Sequence, residues 1–217
     1  TGSEGVTWIS WFCSLPGHDF FCEVQEEFID DEFNLTGLRG LVPYYEEALA
    51  TIMDLEIEEE PFSDQEAATI EAAAAMLYGM IHQRFILTRQ GMRLMLQKYE
   101  HGQFGLCPRA YCVQSLMLPC SLVDVPRTDT VRLYCPSCQD LYNPPNVRHQ
   151  RIDGAYFGTT FAHLFLMTFA GVLPPLRTLP GAYTPQIFGF RVNERSMAGQ
   201  RMGWLRARVN GPSDAEQ

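Results

Sequence analysis

Two short stretches decide how this chain is read: Cys107-Pro-Arg-Ala-Tyr-Cys112 and Tyr134-Cys135-Pro-Ser-Cys138. Each holds two cysteines on a tight turn beside a proline. Two such pairs about twenty residues apart are how a chain presents four thiolates tetrahedrally to one metal ion. The intervening segment is long enough to return and set the second pair opposite the first. Zinc, one structural ion per chain, is the expected metal, since a closed thiolate site without redox partners in the sequence reads as structural. Iron remains open from spacing alone. Such a site has no free coordination position for an activated water, so it points to a scaffold.

The sequence changes character around this motif. Residues 1–103 read as helical. Thr7 can cap a helix whose apolar set is Trp8, Ile9, Trp11 and Phe12, with Pro16-Gly17 as its stop. Phe20 to Val24 reads as a short extended piece, and Phe28 and Ile29 mark another helical turn. Pro43 suits a first helical position, with Tyr45, Ala48, Leu49, Ile52 and Met53 in helical period after it. Ser63-Asp64-Gln65-Glu66 is a capping box opening a long alanine-rich helix, with Ile70, Ala74, Leu77, Tyr78, Ile81 and Phe85 along one side. Thr88 can cap the next helix, which ends at His101-Gly102.

Residues 104–162 trade alanine for proline, aromatics and short β-favouring runs, with strands expected at Leu116–Leu118 and Val131–Tyr134. That core is too small to fold well without its metal. An apolar helix is expected from Phe161 to Phe169, and residues 163–217 continue with a proline-rich stretch and a strand at Ile187–Val192. The expected fold class is α+β: an all-α N-terminal domain, a small zinc-ribbon β domain, and an extended C-terminal tail.

The chain has 217 residues, 46% hydrophobic and 19% charged, with a formal net charge of −10. Four thiolates add four negative charges and a divalent ion returns two, so the metallated chain is nearer −12. Nucleic acid is not an expected partner; basic proteins and polyamines are. Of the seven cysteines, the three outside the motif, Cys13, Cys22 and Cys120, read as buried small hydrophobes in a reducing compartment. No apolar run reaches a membrane span, and the start, Thr1-Gly2-Ser3-Glu4, has no basic, apolar, cleavable pattern. A soluble cytoplasmic and nuclear chain without membrane contact is expected.

The other candidate sites each have a plainer reading. The acidic run Asp54, Glu56, Glu58, Glu59, Glu60 is a solvated linker or a docking surface for cations, and the two are compatible. Phe188 and Phe190 at strand spacing leave one face together, as core or as partner anchors. Ser3 and Ser213 are followed by acids and are possible phosphorylation sites. The five histidines show no metal spacing and no evident carboxylate pairing. No catalytic constellation stands out.

At this point the chain resembles a known family, the regulatory beta subunits of casein kinase II. The resemblance lies in Trp8-Ile9-Ser10-Trp11-Phe12-Cys13, Phe20-Phe21-Cys22-Glu23-Val24, Phe33-Asn34-Leu35-Thr36-Gly37-Leu38, Leu77-Tyr78-Gly79-Met80-Ile81-His82, Tyr99 through Cys112, Leu133 through Tyr142, and Asp153 through Thr159. It runs from about residue 6 to 169 and recurs at 185–192. It implies a non-catalytic subunit that forms a homodimer through zinc ribbons and binds two kinase catalytic alpha subunits, giving a heterotetramer. By matching motif it implies Cys107, Cys112, Cys135 and Cys138 as zinc ligands and Phe188 and Phe190 as the pair contacting the catalytic subunit. Family members usually carry Tyr at the first of these two positions. The acidic run corresponds to the family's acidic loop, implicated in polyamine and substrate interactions. Glu46 stands where the family's degradation-signal helix opens with Arg, and the tail diverges after Phe169.

Two other readings compete. A zinc-ribbon nucleic-acid or transcription-associated module would use Arg148, Arg151, Arg201, Arg206 and Arg208 as its basic face. A metalloenzyme would need an open coordination position.

Overall fold

The structure is a computed structural model and describes residues 5–55, 62–110, 112, 114–171 and 186–191. Helices come first: α1 (Trp8–Ser14), α2 (Glu26–Asp30), α3 (Glu32–Leu35), α4 (Tyr45–Ile52), α5 (Asp64–Phe85) and α6 (Arg89–Glu100). A three-stranded antiparallel sheet follows, β1 (Leu118–Cys120), β2 (Arg132–Cys135) and β3 (Asp140–Tyr142), in the order β1-β2-β3. Two 3-10 turns (His149–Arg151 and Gly154–Tyr156) lead to α7 (Phe161–Thr168). A two-stranded hairpin, β4 (Gln186–Ile187) and β5 (Phe190–Arg191), completes the described chain. The class is α+β, as expected.

Local chemistry starts the helices where the sequence places the caps. The Thr7 hydroxyl accepts from Ser10 N (3.3 Å) and the Thr88 hydroxyl from Gly91 N (3.1 Å). The capping box is reciprocal: Glu66 N donates to Ser63 Oγ, and Ser63 N donates to Glu66 Oε2 at 2.9 Å. Two expectations shift. Helix α4 begins at Tyr45, with Pro43 in the turn before it and Tyr44 as a left-handed N-cap (φ 50°). β1 is Leu118–Cys120 rather than 116–118, because Leu116 is taken up in a single bridge to Leu106 that closes the first cysteine turn.

Helix α5 is the organising element. All six residues of the expected stripe are buried, and so are Ala73, Met76, Met80 and His82. One side packs on α4 and another on the Gly154–Tyr156 turn. Gly79 permits the second contact. A Cβ there would lie 2.4 Å from the Tyr156 ring, so alanine's better helix propensity could not be realised without displacing the ribbon side of the molecule.

Phe20, Phe21, Cys22 and Val24 are buried, but the piece pairs with no described strand. Its backbone groups go to α5 side chains instead: Cys22 N donates to His82 Nε2 (3.2 Å), Val24 N donates to Tyr78 Oη (3.1 Å), and Tyr78 Oη donates to Cys22 O (2.9 Å). Because His82 Nε2 accepts, Nδ1 carries the proton and donates to Tyr156 O at 2.9 Å. One imidazole therefore ties the N-terminal segment, α5 and the ribbon side together. Aromatic rings close the same seam, with Phe20–Phe104 centroids at 5.6 Å and Phe21–Phe157 at 5.4 Å.

Burial pushes the His82 pKa down from 6.5 to about 4. The neutral ring is the stabilising form. Its contribution, on the order of 3 kcal/mol, is complete above pH 6.5 and is lost as the pH falls from 6.5 towards 4. Urea unfolding across that window should show a stability slope that His82→Gln reduces; an identical slope in the variant would refute this role. Acid loss of a metal is common to both proteins and cancels in the difference.

Candidate metal centre

Each cysteine pair is carried by a closed turn. Before the sheet, Cys107 N donates to Ser115 O (2.8 Å), Met117 N to Gly105 O (3.2 Å) and Cys112 N to Arg109 O (3.0 Å). After β2, Gln139 N donates to Cys135 O (2.8 Å), and Cys135 pairs with Asp140 on β3. A Ser137–Ser115 hydroxyl contact of 2.9 Å joins the two turns directly.

These turns bring four buried sulfur atoms within 4.8 Å of one another. Cys107 and Cys138 are 3.8 Å apart, and Cys112 and Cys135 are 3.6 Å apart. A tetrahedral ion with sulfur ligands at about 2.3 Å has sulfur–sulfur edges of about 3.8 Å. All seven cysteines are free thiols. The donor set and its spacing fit a metal ion held by Cys107, Cys112, Cys135 and Cys138 in a zinc-ribbon-like arrangement.

The surroundings suit thiolates. Tyr142 Oη lies 3.2 Å from Cys138 Sγ, and burial holds that phenol protonated, so it can donate to sulfur. Arg109 hydrogen-bonds Cys138 and pairs with Asp140 at 3.7 Å, both side chains largely covered. Burial pushes the Cys112 thiol up to about 11. A hydrogen bond from Cys135 and burial raise Cys138 as well. Without a cation the Cys112 and Cys138 thiols keep their protons at neutral pH; a divalent ion is what would remove them. With four protein ligands no coordination position is left for substrate, so such an ion holds the two turns and performs no chemistry.

The cysteines outside the cluster match their bland reading. Cys22 and Cys120 are buried, Cys13 is half-buried, and burial raises all three thiols, Cys13 to about 11 and the other two to about 12.

Other expected residues fare differently. Asp54 accepts from Trp8 N at 2.9 Å and so satisfies the first free N–H of α1. Glu56, Glu58, Glu59 and Glu60 lie outside the described residues, as do Ser3 and Ser213. Ile187–Arg191 is not a single strand but part of a hairpin in which Ile187 pairs with Phe190. Phe188 (φ 50°) and Gly189 (φ 82°) form its two-residue loop, the positive-φ geometry favoured between twisted strands. The alternation that would put both rings on one face therefore does not apply: Phe188 caps the loop and Phe190 stands on β5. Both rings are exposed, 96% and 78%.

The sequence reading missed several partners. His149 Nε2 lies 2.9 Å from Asp19 Oδ2, contrary to the expectation that no histidine pairs with a carboxylate. The residues are far apart in sequence, so no local pattern signals the pair. Tyr142 and the Arg109–Asp140 pair were equally hidden, although their position beside the cysteine turns was a usable hint.

A sequence model of the family described as "Casein kinase II regulatory subunit" matches residues 7–191. "Casein kinase II subunit beta-3" of Arabidopsis thaliana is 51% identical over 197 residues, 89% of this chain and 71% of that protein. "Casein kinase II subunit beta-2" of Schizosaccharomyces pombe is 47% identical, covering 98% of this chain and 84% of that protein. "Casein kinase II subunit beta" of Saccharomyces cerevisiae is 42% identical, covering 97% and 87%.

Metal quantification checks the site. Cys135→Ser should abolish stoichiometric divalent metal in the purified chain. In competition with a chromogenic chelator, the wild type should lose affinity as pH falls below neutral, because each thiol must shed a proton to bind. Full metal content in the variant, or affinity independent of pH, would contradict the assignment.

Proposed function

Because the chain belongs to the casein kinase II regulatory subunit family, we propose that it is the non-catalytic regulatory subunit of a serine/threonine kinase holoenzyme. In this reading Cys107, Cys112, Cys135 and Cys138 hold one structural zinc per chain. The ribbon they shape mediates a homodimer. The dimer binds two catalytic alpha subunits through the tail hairpin, and the acidic segment draws basic protein substrates and polyamines.

The observation that carries the proposal is the exposed apolar hairpin. Ile187, Phe188 and Phe190 all face solvent on a tight turn. Two rigid aromatic rings presented on a short loop lose little side-chain freedom on docking and fill a partner's pocket well. The phenylalanine at position 188 offers apolar contact without the hydroxyl that tyrosine would bring.

Self-association has separate support. Helix α7 buries Phe161, Ala162 and Phe165 against the molecule, yet its other side carries Leu164 and Met167, the latter 75% exposed. Leu106, beside the first metal-site cysteine, is 46% exposed. Apolar residues outward on an otherwise apolar helix fit a surface covered by a second copy. The net charge of −10 supports attraction of cationic partners. Seven free thiols suit a reducing compartment, the cytoplasm and nucleus.

Such a subunit alters the kinase by binding it, shifting stability and substrate choice through linkage rather than by supplying chemistry. The test is co-purification with a casein kinase II catalytic subunit. Phe188→Ala with Phe190→Ala should weaken capture by roughly thirtyfold or more, since an aromatic anchor contributes about 2 kcal/mol or more. Undiminished capture by the double variant would remove the proposed anchor. Phosphorylation of a peptide by the isolated chain would overturn the non-catalytic reading.

A further inference from the structure

A cleft of about 750 Å³ opens where the end of α1, the middle of α5 and two loops on the ribbon side meet. Its wall is apolar: Phe12 and Phe21 from the N-terminal segment, Met76 from α5, and Ile152. Its rim is cationic. Arg127, Arg148 and Arg151 line it, all three are exposed, and none forms an ion pair with another described residue.

Two carboxylates share the lining, and both already accept hydrogen bonds. Asp129 accepts from Arg132 Nη2 (2.9 Å) and from Thr130 N (2.8 Å). Asp153 accepts from Ala155 N (3.0 Å) and from the Arg127 backbone N–H. His18, also on the wall, is held below its ordinary pKa by burial and adds no charge at neutral pH. Three exposed arginines therefore line the cleft, beside two carboxylates already accepting hydrogen bonds.

The rim is built on fixed backbone. The turn carrying Arg148 and Arg151 is clamped by the His149–Asp19 contact and by the His149 ring, 4.2 Å from Phe20. Arg148 N donates to Asn146 Oδ1 (3.0 Å), and Arg127 is fixed through Asp153. In a chain of net charge −10, Arg127, Arg148 and Arg151 gather on one cleft with no ion pair to another described residue. Convergent guanidinium groups bind phosphate oxygens through paired, charge-assisted hydrogen bonds, and an adjoining apolar wall adds affinity for a ligand with an apolar neighbour. The volume lies within the range of ordinary ligand sites.

We propose that this cleft binds a phosphorylated peptide segment, with the phosphate of a phosphoserine or phosphothreonine on the Arg127, Arg148 and Arg151 rim and a neighbouring apolar side chain against Phe12, Phe21 and Met76. The proposal rests on the reading of the chain as a kinase regulatory subunit, which works beside freshly phosphorylated chains. The cleft retains or samples such segments near the catalytic partner.

Fluorescence anisotropy on the full chain tests this. The probe is a short labelled peptide with one phosphoserine between two leucines. Wild-type chain should bind it about tenfold or more tightly than the unphosphorylated peptide, and Arg148→Gln with Arg151→Gln should weaken phosphopeptide binding about tenfold. Inorganic phosphate should displace the probe only at far higher concentration. Equal binding of the two peptides, or no effect of the double substitution in a variant with wild-type circular dichroism and metal content, would overturn the inference. So would inorganic phosphate matching the peptide in affinity, or a single-stranded RNA oligonucleotide binding more tightly than the peptide. The catalytic subunit is absent from the assay. A null result alongside intact capture of that subunit sinks only the cleft, and failed capture alongside phosphopeptide binding sinks only the kinase reading.

Discussion

Four buried thiols gathered within 4.8 Å across two separate turns are the constraint on which the second half of this molecule depends. As neutral S–H groups they make only weak contacts across the two turns. As thiolates around one divalent ion they become a cross-link between Cys107–Cys112 and Cys135–Cys138. Such a link would add to the packing of Leu118, Val131 and Leu133 in the core. β1, β2 and β3 are three to four residues each, and a sheet of that size is marginal in water. Arg109 and Tyr142, placed beside Cys138, would meet the charge that a metal-bound thiolate carries there.

The ribbon side does not stand apart from the helices. Its Gly154–Tyr156 turn lies against α5 over Gly79, and the Tyr156 carbonyl accepts from His82. His82 in turn satisfies the Cys22 amide. Order therefore passes from the sulfur cluster through the 3-10 turn to α5, and from α5 to the buried N-terminal segment. The surfaces proposed for partners are the places where this burial stops: the outer side of α7, the loop of the β4–β5 hairpin, and the arginine rim over the α1–α5 cleft.

Much of this was legible in sequence because the signals are local. A capping box is four consecutive residues, and the Ser63 and Glu66 side chains bond as the spacing requires. Helical period placed Ile70 through Phe85 on the buried side of α5. The cysteine spacing named all four members of the cluster. What escaped was whatever joins distant residues or depends on backbone conformation. Asp19 and His149 meet only after folding. The second buried face of α5 depends on Tyr156, which nothing near Gly79 announces. Asp54 read as one carboxylate of an acidic run, yet it caps a helix that ends forty residues earlier in the chain. The hairpin at 186–191 was mistaken for one strand because alternation was read through Phe188-Gly189. A glycine following an exposed aromatic was the signal for a turn.

Hydrogen–deuterium exchange on the full chain, with its metal and after removal of the metal by a thiol-specific reagent and chelator, tests the central claim most directly. The amides of β1, β2, β3 and both cysteine turns should lose protection on metal removal, while the middle of α5 keeps most of its own. Strand amides that stay protected in the metal-free chain would contradict the account, because the ribbon would then be holding its shape without the cross-link.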